Sequence, residues 1–371
     1  QAMTTLQQPR YPIGIQTFSE IINGGYLYVD KTDLVWKLAH AAKYIFLSRP
    51  RRFGKSLLTT TLKSYFEGRR DLFEGLKIMP LEQEWKQYPV IHLDMSVCKG
   101  QESAQMLQNA IRFQLLRYAS QYGVSTDNVT PGQIFNSIIM SAASTGEKVV
   151  VIIDEYDAPL LEVMHEQENL AAMRKVMQEF YQCLKACEGM IKFCFMTGIT
   201  KFSQLSIFST LNNIKNVSMM PEFATICGIT EQEMVTRMAD GIDALAGYYG
   251  CTHDEMLAKL RLRYDGYHFT EDSDGVYNPY SLINAMSDRR LQNYWFESGT
   301  PTFLFNQMRR FGTDITRMDD ITASQSAFYL STETLTDALP LLYQAGYLTI
   351  KGYDRESESY TLGIPNQEVR V

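Results

Sequence analysis

Lys55 and Ser56, directly after Gly54, are the residues of this chain best suited to hold an anion. Tyr44–Ser48 reads as an apolar strand and Ser56–Phe66 as a helix, so Gly54-Lys55-Ser56 stands at a strand-to-helix turn. A helix N-terminus presents unpaired backbone N–H groups and the positive end of its dipole. There the segment from Arg52 and Phe53 through Gly54 to Leu57 is expected to cradle phosphates, with Lys55 reaching the β- and γ-phosphates and the Ser56 hydroxyl holding Mg²⁺. The strict loop pattern has a glycine where this chain has Arg49, and Pro50, Arg51 and Arg52 fill a stretch that usually gains its freedom from glycine. Taken alone, Gly-Lys-Ser is a common coincidence.

A second segment supplies the acids such chemistry needs. Lys148–Leu161 reads KVVVIIDEYDAPLL, in which Val149–Ile153 is a β-branched run of the kind buried on both faces of a parallel sheet. Asp154 and Glu155 follow at its carboxyl end, where open α/β sheets place their ligands. Asp154 is placed to hold Mg²⁺ through water, and Glu155 to polarise the water that attacks the γ-phosphate. The plainer reading is a buried strand that ends in solvated acids. Ile191–Met196 is a further strand, and Thr197 at its end is the candidate for contacting the γ-phosphate and attacking water, with Thr200 behind it. A strand-to-turn boundary capped by Thr197-Gly198 explains the same residues structurally.

The elements that must position these groups alternate. Val90–Leu93 completes a set of four strands, and Ala104–Tyr122, Gly132–Ala143 and Leu170–Ala186 read as helices between them. That order predicts an α/β fold: the parallel sheet of a P-loop NTPase covered by helices on both faces. After about residue 220 helices dominate, beginning at Thr230–Ala246, where Thr230 and Glu233 form a capping-box pattern. A helix at Asp337–Ala345, strands at Tyr347–Tyr353 and Tyr360–Leu362, and the charged turn Asp354–Glu358 resemble a winged-helix module. Acids dominate that turn, which favours packing over phosphate contact. The expected division is an ATPase core over 10–220, a helical lid over 221–325 and a winged-helix-like module over 326–371.

Bulk properties narrow the class. A net charge of -7 does not indicate a nucleic-acid binder by charge, although it leaves room for a local basic patch. The six cysteines have no CxxC spacing, and packed thiols of this kind suit a reducing cytoplasm. No apolar run of membrane-spanning length and no signal peptide is present, and Gln1-Ala2 before Met3 is set aside as an expression remnant. His92 and His268 lie in apolar surroundings without a partner motif and read as packed side chains, as do the aromatics of Arg263–Phe269. Asp30 and Lys31 in YVDKT either border the nucleotide or form a structural ion pair or helix cap, the second being favoured.

The strings YVDKTDLV, FLSRPRRFGKSLL, RYDGYHF and YNPYSLINA, in that order, resemble the AAA-ATPase-like proteins of bacteria, particularly gut Bacteroidetes. In these the loop typically reads RPRRFGKS, so Arg49 in place of glycine is a trait of the group. The resemblance covers Tyr11 to Arg370. It implies an ATPase whose phosphate-loop strand lies between others, with the Asp154 and Thr197 strands flanking the site. It also implies a C-terminal nuclease-like domain of the PD-(D/E)XK superfamily in cis, which this chain, ending NQEVRV, is expected to lack. Arg49, Arg51 and Arg52 either supply charge to the phosphates in cis, or are solvated, or pair with Glu155 or Asp157.

Three functions follow. The first is an ATP-dependent switch or motor whose hydrolysis rearranges the helical and winged portions and acts on an attached nuclease-like domain. The second is an interaction scaffold with a degenerate loop, against which Glu155 beside Asp154 argues. The third is a small-molecule kinase, which needs an arginine-rich lid that the sequence after residue 200 does not offer. The Asn-Lys-x-Asp pattern of a guanine reader is missing from TGITKFS, so ATP is the expected nucleotide.

Overall fold

Five parallel strands make the central sheet: β1 (Tyr44–Ser48), β2 (Val90–Asp94), β3 (Val149–Asp154), β4 (Ile191–Gly198) and β5 (Ile214–Asn216), in the order β2-β3-β4-β1-β5. The computed structural model describes residues 10–200, 214–298, 301–313, 318–329 and 337–370. Every side chain of β3 is buried, which is why its sequence is an unbroken apolar run and not an alternating one. The register brings Asp94 level with Asp154, Ile153 with Met196, and Leu47 with Thr197, so the carboxyl ends of β1, β3 and β4 finish side by side.

Helices cover both faces. On one lie α1 (Phe18–Asn23), α2 (Thr32–Ala41) and α3 (Lys55–Phe66); on the other lie α4 (Ala104–Tyr122), α5 (Pro131–Ala143), α6 (Ala158–Leu161), α7 (Gln167–Tyr181) and α8 (Cys183–Ala186). Local chemistry sets several of their ends. Ser103 caps α4 by accepting from the Met106 N–H, and Thr130 with Gln133 forms a reciprocal capping box ahead of Pro131. The helix expected from Leu170 starts at Gln167 and breaks at Gln182 into α7 and α8. Gly132 lets α5 approach α7, since a Cβ there would lie 2.8 Å from the Glu179 carbonyl oxygen.

The part after the sheet builds a second hydrophobic cluster from α9 (Glu231–Arg237), α10 (Ala239–Tyr249), α11 (His253–Tyr264) and α12 (Pro279–Asp288). The Thr230–Glu233 capping box is present, but the helix is interrupted at Met238, where φ −123° and ψ 23° leave helical geometry, so one expected helix is two. Toward the C-terminus come α13 (Thr302–Phe311), α14 (Leu339–Gln344), α15 (Gln367–Arg370) and an antiparallel sheet ordered β6-β8-β7 from β6 (Ile321–Ser324), β7 (Thr349–Asp354) and β8 (Ser359–Gly363). Strand β6, four residues long, pairs with β8. Leu341, Leu342, Ile350 and Leu362 belong to the same hydrophobic cluster as the central sheet. Among the described residues no helix is long and apolar enough to cross a membrane.

Gly266 is where the helical part meets the C-terminal segment. Its φ of +102° is glycine territory, and an added Cβ would sit 2.3 Å from the Pro365 carbonyl oxygen. Gly266→Ala therefore combines backbone strain with a backbone clash, and is expected to cost about 2–3 kcal/mol, read as a lowered urea midpoint at unchanged slope.

Candidate active site

The turn from β1 into α3 does without its usual glycine because its side chains are anchored elsewhere. Arg49 is 1% exposed; its guanidinium donates to the Ser48, Ser218 and Phe223 carbonyls at 2.9, 2.7 and 3.1 Å and lies 4.0 Å over the Phe269 ring. Burial lowers its pKa. Arg52 takes a left-handed φ of 64° itself and stacks 4.1 Å over Tyr280. Phe53 is fully buried, edge-on to Tyr267 and Phe269. Gly54 (φ 88°) then turns the chain into α3 at Lys55. Arg49 is thus committed to carbonyls and an aromatic face in the core, and Phe53 has its side chain in the core, leaving its backbone for any phosphate. Arg51 is half-buried, with Glu155 and Tyr347 near enough to act on its charge.

The polar centre lies where the three strands end. Asp154 accepts one hydrogen bond from the Ser56 hydroxyl and one from the Thr197 hydroxyl, each at 2.6 Å. Thr197 Oγ1 in turn accepts from the Glu155 N–H at 3.1 Å. Lys55, 3% exposed, places its ammonium 2.9 Å from Glu155 Oε1 and 2.9 Å from the Arg49 carbonyl. The structure therefore brings Lys55, Ser56, Asp154, Glu155 and Thr197 into one connected group. Burial, reinforced by the neighbouring Glu155, raises the pKa of Asp154, while its two hydroxyl donors oppose the rise. Glu155 sits at φ 54°, an unfavourable backbone for a non-glycine residue. The hard oxygen donors of Ser56 and Asp154 fit Mg²⁺, which is commonly held by one or two carboxylates together with substrate phosphates.

One polar residue here escaped assignment in the sequence. Asp157 Oδ2 accepts from the Ile199 N–H, the Thr200 N–H and the Thr200 hydroxyl at 3.1, 2.7 and 2.8 Å, while Oδ1 is buried without a partner among the described residues. Thr200, expected behind Thr197 near the phosphate, spends its hydroxyl on Asp157. Burial, with Glu155 close by, pushes the Asp157 carboxyl up to about 7. The sequence signal was the spacing DEYD, in which a fourth residue returns to the strand end. Of the stretch after Thr200, Lys201 onward lies outside the described residues.

Beside the first turn of α3 opens a small, mostly apolar pocket. Tyr28, Val29, Ile226, Ile229, Pro279 and Ile283 line it together with Gly54 and Leu57. These residues come from four separate parts of the chain, and only the fold brings them together. The remaining candidates resolve into structure. Asp30 accepts from the Thr32 N–H and hydroxyl and from the Lys77 N–H, a helix-start role. Burial lowers His92 to about 4, and His268 faces the Ser273 carbonyl. Tyr264, Tyr267 and Phe269 are buried.

A sheet whose adjacent strand ends assemble a lysine, a hydroxyl and paired acids around a helix N-terminus defines a P-loop nucleotide-site class. Residues 12–208 match the family model described as a predicted AAA-ATPase, and the chain belongs to that AAA-ATPase-like family. It is 34% identical over 373 residues to an uncharacterized protein in the vnfD 5' region of Azotobacter chroococcum mcd 1, covering 99% of this chain and 69% of the relative. Among solved structures, the Aeropyrum pernix ORC2 protein in ADPNP–ADP complexes matches 90% of this chain and 87% of its own at 12% identity, with a TM-score of 0.34. The Aeropyrum pernix ORC1 protein in complex with DNA matches 92% and 91% at 11% identity, with a TM-score of 0.28. Likeness at that level says nothing about what this chain binds.

Asp157 gives the site a pH signature. Its folded pKa lies above that of an unfolded aspartate, so between about pH 4 and 7 the native state holds more protons than the unfolded one, and stability falls as pH rises through that window. Asp157→Asn is expected to flatten this part of the stability–pH curve, measured by urea unfolding at several pH values; an unchanged slope would remove Asp157 as its source.

Proposed function

We propose that this protein binds Mg-ATP at the β1–α3 turn and hydrolyses it. The observation that carries this is the Ser56–Asp154–Thr197 hydrogen-bonded chain beside the Lys55–Glu155 pair, all at the carboxyl ends of β1, β3 and β4. The triphosphate lies along the backbone of Arg52–Leu57, and the base enters the apolar pocket beside Gly54 and Leu57. Lys55 exchanges its carboxylate partner for β- and γ-phosphate oxygens, which frees Glu155 to accept a proton from the attacking water. Ser56 and Asp154 would hold Mg²⁺, which would supply neutralisation of the phosphate charge. Thr197 orients Glu155 through its backbone and stands next to the γ-phosphate that the water attacks, with ADP as the leaving group.

Nucleotide state reaches the rest of the molecule through the loop itself. Arg52 touches Tyr280 at the start of α12, and Pro50 faces Gly346, where a Cβ would lie 3.0 Å away. In this reading 10–220 is the ATPase core, 221–325 a lid and 326–371 a winged-helix-like module, and in a longer protein the motion acts on a nuclease-like domain in cis.

The test is Mg²⁺-dependent phosphate release together with nucleotide binding. Lys55→Ala is expected to weaken ATP binding by roughly 100-fold or more, and Glu155→Gln to keep binding while lowering kcat by about 10²–10⁴-fold. Ser56→Ala is expected to lose most of the Mg²⁺ dependence. Turnover that survives Glu155→Gln unchanged would sink the assignment of the base.

A further inference from the structure

We infer that Lys31 is a specificity-determining residue: its ammonium donates to a ring nitrogen of the purine base in the pocket beside α3. This rests on the Mg-ATP reading and adds how the base is recognised. Among the described residues that line that pocket Lys31 carries the only charged side chain, and most of the others are apolar. Its ammonium is mostly buried and makes one hydrogen bond among the described residues, to Glu233 Oε1 at 2.6 Å. An ammonium has three N–H donors, and leaving donors unmet in an apolar surround is costly. Apart from the Tyr28 and Thr61 hydroxyls and the Cys227 thiol the walls are aliphatic and aromatic, and the bond to Glu233 leaves Lys31 with donors for an acceptor that enters the pocket. Purine ring nitrogens are planar acceptors on an otherwise apolar disc, which suits a single fixed donor in such walls.

The donor is held in position from both sides. Glu233 Oε1 also accepts the Thr230 N–H of the capping box, so α9 fixes the carboxylate that fixes Lys31. On the other side Asp30 locks the start of α2 through Thr32 and ties it to the Lys77 N–H. A pair formed only to join α9 to the N-terminal segment has no need to sit in the pocket wall. Burial lowers the pKa of Lys31, and the Glu233 carboxylate opposes the fall.

The experiment measures binding of ATP, of deaza analogues of ATP each lacking one ring nitrogen, and of inorganic tripolyphosphate, by calorimetry. The proteins are wild type, Lys31→Met and Glu233→Gln. Wild type is expected to bind one analogue roughly tenfold or more weakly than ATP, the worth of a charge-assisted hydrogen bond. Lys31→Met is expected to lose the same factor with ATP, to treat that analogue and ATP alike, and to bind tripolyphosphate as wild type does. Glu233→Gln, which breaks the ion pair but keeps the donor, retains the discrimination. Wild type that binds ATP and every analogue equally would overturn the inference and leave the Mg-ATP reading standing, as would two variants that weaken tripolyphosphate as much as ATP. Wild type that binds neither ATP nor tripolyphosphate overturns the Mg-ATP reading and this inference with it.

Discussion

A carboxylate at the end of a fully buried strand is the constraint around which this molecule is organised. Asp154 is carried there by Val149–Ile153, a run that no water reaches, and its charge is disfavoured by the same burial that makes the strand stable. The cost is met by hydroxyls delivered from two other elements, Ser56 on α3 and Thr197 on β4. Those hydroxyls can meet it only if β3 and β4 keep their register and α3 starts at Lys55. Strand pairing, helix start and site chemistry are therefore one arrangement seen at three scales.

The loop obeys the same economy. A glycine-rich turn reaches its shape through backbone freedom; this one reaches it through anchored side chains. Arg49 is tethered to carbonyls of the segment after β5, Phe53 to the aromatics of Tyr267 and Phe269, and Arg52 to Tyr280. Such anchoring supplies the preorganisation that glycine cannot, because the conformation is selected by burial and stacking from several directions.

What the sequence made legible follows from how local each signal is. The α/β class, the buried run of β3 and the acids at its end were readable because parallel strands and the residues after them leave contiguous patterns. The Thr230–Glu233 box was readable for the same reason, being a three-residue spacing. The break at Met238 was not, since nothing at that position disfavours helix and packing among α9, α10 and α12 decides it. The three destinations of Arg49, Arg51 and Arg52 were also hidden: each depends on residues more than a hundred positions away, and adjacent arginines look alike in a string. Asp157 was overshadowed by its neighbours, although its carboxylate is more deeply buried than that of Glu155.

The way the phosphate loop is anchored bears on how such proteins diversify. Its residues are shared property of the sheet, the helical part and the C-terminal module, so the loop is not a portable cassette. Transplanting RPRRFGKS into another sheet would carry across the lysine but not the contacts that shape it. Conversely, Arg49 with Phe269, Arg52 with Tyr280 and Pro50 with Gly346 form linked pairs in which drift at one member is constrained by the other. Change at one member of such a pair should register as concerted change across distant segments, and a search keyed to glycine spacing would pass over this chain.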